Sequence, residues 1–244
     1  MRTLRASLLR HLLAVSGLLL CALFATLATW QYGRGEFKEG WLAQVEAARD
    51  APARPIAQTL ADPGSAELAV AVAGQLELRA GPRLLLDNQQ REGRVGVREY
   101  ALARPLPVVE DDAAWLLVDM GWLLLPPDRS LPSLPALPAE LDATGLLTPL
   151  PGQGLRLGQN PPAGVGTALL NYLDTVELGA QLGVAIRPRL LRLDPAIAIG
   201  HARDLDVLPN TLPPERHRGY ALQWAGLSLA AFFITFLLYF RSRG

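Results

Sequence analysis

Few residues in this 244-residue chain are placed to do chemistry. His11, His201 and His217 are scattered, with no His-x-x-x-His pair, and Cys21 is the lone cysteine, inside an apolar run. No disulfide can form within the chain, and no clustered thiol or imidazole set is available for zinc or copper. Neither a Gly-x-Ser-x-Gly elbow nor a phosphate-binding loop occurs. The acidic run Glu110-Asp111-Asp112 could in principle serve paired-carboxylate hydrolysis, but three adjacent acids on a polar turn read as a solvated loop. No constellation supplies nucleophile, base and orienting partner, so the sequence is not that of an enzyme. His201, in a Gly-His-Ala loop, is expected to be solvated, and His11 to be background. His217 lies two residues before a long uncharged stretch, where a histidine is ordinarily an interfacial polar residue.

Composition sets the elements that must position such residues. Half of the chain is hydrophobic and the formal net charge is zero, which gives no electrostatic case for nucleic acid. The apolar excess lies at the two ends. Residues 12–30 carry no charge, and at about 1.5 Å per residue they make a helix of roughly 28 Å, close to bilayer thickness. A cleaved signal peptide ending near Thr26-Leu27-Ala28 fits less well, because the run exceeds the usual apolar core of about 7 to 15 residues. Residues 219–240 form a second uncharged run, followed by Arg241 and Arg243. Arg2, Arg5 and Arg10 precede the first, so both distal flanks are basic. The positive-inside rule places both termini (1–11 and 241–244) in the cytoplasm and residues 31–218 in the periplasm. Trp30, Tyr32, Tyr220 and Trp224 then form an aromatic belt on one side, where Gln31 and Arg34 can meet His217 and Tyr220.

Between the spans, residues 36–50 read as a helix continuing from the first span, with Trp30, Arg34, Lys38 and Trp41 on one stripe. Gly33, Gly35 and Gly40 predict a kink near the membrane. Residues 52–63 read as a linker. Strands are predicted over 68–78, with a bulge or bend at Gly74, and over 83–87, 95–103, 115–125, 143–150 and 184–193. Asn88–Gly93 reads as a turn and 126–138 as a Pro-rich loop. The 115–125 strand is almost wholly apolar and so central and buried. Asp174-Thr175-Val176-Glu177 has capping-box spacing, with Gly183 positioned to stop the helix. Five to seven strands with little helix predict a β-rich, barrel-like α+β domain between two terminal transmembrane helices.

Several short patterns, in order, resemble the Surfeit locus protein 1 family of cytochrome c oxidase assembly factors. They are Trp30-Gln31-x-x-Arg34-x-x-x-Lys38; Gly93-x-x-Gly96 leading to Arg104-Pro105-Leu106; Leu117-Val118-Asp119-Met120-Gly121-Trp122; Leu173-Asp174 with Gly179-x-x-x-Gly183 and Pro188; and Pro213-Pro214-x-x-His217-x-Gly219-Tyr220-Ala221-Leu222-Gln223-Trp224. Their order and placement against two terminal spans cover most of the chain. Met120 departs from the pattern, since the family usually has Arg before that Gly-Trp.

The resemblance implies a non-enzymatic assembly factor in a bacterial inner membrane. It would aid delivery of haem a to the catalytic subunit of a haem-copper oxidase, with haem a synthase as a further partner. Carried over by motif, His217 is the haem-iron ligand, and a neutral imidazole suits that role. Tyr220, Ala221 and Trp224 would wall the site beside it, and Arg34, Arg216 or Arg218 would pair with propionates. The competing expectation is a scaffold that stabilises an oxidase subunit without touching haem.

Overall fold

A computed structural model of the chain describes residues 2–108, 114–126, 128–152, 158–163, 166–207 and 211–241, with side chains from Leu8 onward. Glu110, Asp111 and Asp112 lie outside the described residues, as does Arg243. In chain order the elements are α1 (Arg2–Asp50), β1 (Arg54–Pro55), α2 (Ile56–Ala61), β2 (Val70–Leu78), β3 (Arg83–Arg91), β4 (Arg94–Pro105), β5 (Trp115–Leu124), β6 (Glu140–Pro149), β7 (Thr167–Leu170), α3 (Thr175–Leu182), β8 (Ile186–Leu193) and α4 (Pro214–Arg241). They divide into two units, Met1–Leu42 with Thr211–Gly244, and Ala43–Asn210.

The first unit is helical. Both helices are long and apolar enough to cross a membrane. Leu12, Leu19, Leu229 and Leu237 are each more than half exposed, so the apolar surface is not confined to one buried stripe. The helices run antiparallel. Ser228 Oγ donates to the Cys21 carbonyl at 2.9 Å, and the Phe24 and Trp224 rings lie 5.5 Å apart. A Cβ on Gly17 would overlap the Thr235 side chain, so only glycine permits that approach. α1 stays α-helical through Gly33, Gly35 and Gly40. The tertiary contacts of the pair outweigh a glycine propensity cost of about 1 kcal/mol each.

The second unit is one sheet in the order β1-β2-β6-β8-β5-β4-β3-β7, with β2 also pairing β4 through Leu76–Leu78. Hydrogen bonding therefore passes from β2 through β6, β8, β5 and β4 and returns to β2. β5 is buried on both faces, as its apolar run predicts. Leu116, Val118 and Met120 join one core cluster, while Leu117 joins another with Tyr100, Leu102 and Leu190. Asp174 caps α3 by accepting from the Val176 and Glu177 amides, and Gly183 ends it in the left-handed conformation.

Four local expectations are corrected. The 52–63 segment is not merely a linker, because α2 forms there and Ile56 is fully buried. Gly74 carries no bulge: the β2–β6 register is continuous from Val70 to Glu77, and Ile56 packs 3.6 Å from where a Cβ would sit. β3 continues to Arg91 across a register shift between Leu86 and Gln89, which shortens the predicted turn to its end at Gly93. Finally, β1 and the four-residue β7 add strands beyond the predicted range, each by parallel pairing with a distant segment.

Candidate functional site

The antiparallel packing of α1 and α4 brings His217 against Gln31, 186 positions away in sequence. His217 Nδ1 lies 2.7 Å from Gln31 Oε1. With that oxygen as acceptor, the ring proton sits on Nδ1 and Nε2 carries the lone pair. Nε2 is buried and has no hydrogen-bond partner among the described residues. Burial, with Lys38 and then Arg34 beside it, holds the imidazole below the usual histidine range. Lys38 is itself 6% exposed and donates through Nζ to the Leu212 carbonyl. Burial first, and Arg34 second, lower its pKa.

The other predicted site residues divide around this ring. Ala221 is buried and Trp224 half-buried on Phe24, so the face of α4 that carries His217 is the one turned toward α1. Tyr220 is 38% exposed and off that seam. Arg34 is exposed, its guanidinium 5.5 Å over the Phe37 ring. Arg218 reaches Glu36 at 3.1 Å and also pairs with Glu39 across the helix pair. These exposed ion pairs orient the side chains but add little stability. The stripe of Trp30, Arg34, Lys38 and Trp41 is split, with Lys38 turned inward and Trp30 outward at 55% exposure.

A model of the SURF1 family matches residues 18–229, most of the chain. The chain belongs to the SURF1 family. That family consists of cytochrome oxidase assembly factors rather than known enzymes, which implies contact with oxidase subunits. None of the curated proteins matches the chain. Gln31, Arg34, His217, Tyr220 and Trp224 all fall inside the matched segment.

In this SURF1-family chain one ring nitrogen of His217 is oriented by Gln31, and the other, without a hydrogen-bond partner among the described residues, could serve as a ligand to a haem iron. His217 would hold the iron, Arg34 would pair with a propionate, and Tyr220 and Trp224 would supply apolar surface.

Sequence reasoning missed a second polar centre, in the β-rich unit. His201 is not solvated. Its side chain is 15% exposed and its Nε2 sits 2.6 Å from Oε2 of the fully buried Glu99, which also pairs with Arg83. Beside it, Arg98 and Arg192 share the carboxylate of Asp119 at 2.6 and 3.6 Å, and all three side chains are at most 5% exposed. Burial opposes the charge on Arg98, but Asp119 outweighs it and the guanidinium pKa is raised. Burial and then Asp119 push the Tyr100 hydroxyl well above its ordinary value. The available signal was Arg98-Glu99 in the middle of a predicted strand, since charges there must find partners.

Proposed function

We propose that this chain spans the bacterial inner membrane twice, binds haem a at His217, and helps to place it in the catalytic subunit of a haem-copper oxidase. Both termini lie in the cytoplasm, because Arg2, Arg5, Arg10, Arg241 and Arg243 flank the distal ends of the spans, and the β-rich unit is periplasmic. The β2–β4 pairing supports reading that unit as a small closed barrel. One observation carries the ligand assignment: a buried imidazole whose Nδ1 is held by Gln31 and whose Nε2 has no hydrogen-bond partner among the described residues. Haem is cargo here, so the chain's task is to bind it, keep it from water and release it. Haem a synthase is the chemically reasonable donor.

The second reading is a haem-independent scaffold. It draws on the burial of His217, 7% exposed between two helices, where the ring also serves as packing. A complementation experiment separates the two. Cells lacking the protein are expected to lose haem a-containing oxidase, the parent chain to restore it, and His217→Ala to leave the apoprotein subunit present but poor in haem. Equal restoration by His217→Ala, with the subunit co-purifying, would select the scaffold.

A further inference from the structure

We propose that the groove between α1 and α4 at the chain-terminal end of the helical unit binds one anionic phospholipid. Its acyl chain lies in the groove and its phosphate on Arg10. The inference rests on the membrane-spanning reading and is separate from haem.

The cavity measures about 630 Å3 and is walled by Leu13, Leu20, Ile234 and Leu238, with Arg10 and Tyr239 at one end. From Arg10 to Leu20 the helix rises about 15 Å, half of the roughly 30 Å hydrocarbon core. The groove therefore has the length of one leaflet, with its basic end at the interface and its apolar end near the midplane. Contacts at Gly17–Thr235 and Cys21–Ser228 fix the helices at close range along this stretch.

The mouth selects for charge. The Arg10 guanidinium carbon lies 5.4 Å from the Tyr239 ring centroid, and Arg10 Nε is buried without a hydrogen-bond partner among the described residues. His11 packs edge-on to the same ring at 6.1 Å. Among the described residues no acidic side chain lines the groove, and none occurs in the sequence before Glu36. A guanidinium held by an aromatic face suits the oxygens of a phosphodiester. Basic pockets between transmembrane helices take anionic headgroups by this chemistry. A free phosphate would leave the apolar walls uncovered, and a haem would find no histidine, cysteine or methionine among the lining residues. Most of that lining also lies outside the family-matched residues 18–229.

The test uses the full chain in nanodiscs of phosphatidylethanolamine with a minor fraction of phosphatidylglycerol, released into native mass spectrometry. One phosphatidylglycerol per chain should be retained, enriched about tenfold over its bulk fraction, roughly 1.4 kcal/mol of preference. Arg10→Gln should abolish the enrichment, and Ala14→Trp, which fills the groove while keeping Arg10, should abolish retention. Helical content of each variant is checked by circular dichroism, and Arg10→Lys, charged but without the fork, should keep part of the preference. Equal retention of both lipids by the parent, or unchanged enrichment in Arg10→Gln, overturns the site while leaving the spanning reading intact. Release of the parent chain from membranes by alkaline carbonate overturns both.

Discussion

At the scale of residues, one hydrogen bond decides what His217 offers. Gln31 Oε1 accepts a hydrogen bond from Nδ1–H, and the surroundings keep the ring neutral. The folded pKa lies below the unfolded value of about 6.5, so between the two the unfolded chain binds more protons. The resulting stability is fully present above about pH 6.5 and is lost as pH falls toward the folded value. Melting temperatures of the parent measured between pH 7.5 and 5.5 should therefore fall more steeply than those of His217→Asn, and parallel curves would contradict the assignment. The buried triad gives a larger effect. Asp119→Asn leaves Arg98 and Arg192 buried without their anion, which should cost about 3–5 kcal/mol in denaturant unfolding. A loss under about 1 kcal/mol would mean that water reaches the pair. The meeting of Gln31 and His217 was legible because two apolar runs, read as spans leaving a membrane on one side, would bring those positions together. The Glu99–His201 pair was not, because its partners are 102 positions apart and a loop hydrogen-bonded to Met120 of β5 carries His201 there.

Elements were legible where local chemistry agreed with tertiary context. The apolar 115–125 run, the Asp174 cap and the Gly183 stop all signalled their roles locally. α2 and β7 gave no such signal: one is a six-residue helix anchored by Ile56, the other four residues paired in parallel to β3. Gly74 misled because a strand glycine can mark a bulge, whereas here the β2–β6 register runs unbroken through it and Ile56 packs beside it in ordinary contact. Two glycines make predictions at this scale. Gly121 on β5 has φ +110°, and a Cβ there would come 2.7 Å from the His201 carbonyl oxygen. Gly121→Ala should lower stability by about 1–3 kcal/mol and loosen the 199–203 segment in hydrogen exchange. In the helical unit, Gly17→Leu should force α1 from Thr235. Cross-linking between cysteines introduced at positions 24 and 224 should then weaken in the variant, and unchanged cross-linking would show that the seam is held elsewhere.

For the whole molecule, the site proposed at His217 lies where the two terminal helices meet, not among the strands. Residues 31–42 and the chain from Thr211 group with the helices rather than with the sheet. The sequence announced both apolar runs but not where the helical unit ends, because α1 continues as one helix to Asp50. Haem capture at His217 is the central claim, and one spectrum tests it. The parent chain and His217→Ala, purified in mild detergent from cells that make haem a, are compared by reduced-minus-oxidised absorption at equal protein. Near-stoichiometric haem in the parent and little in the variant is the predicted result. Equal haem in both would contradict the ligand assignment, and haem in neither would contradict the carrier role itself.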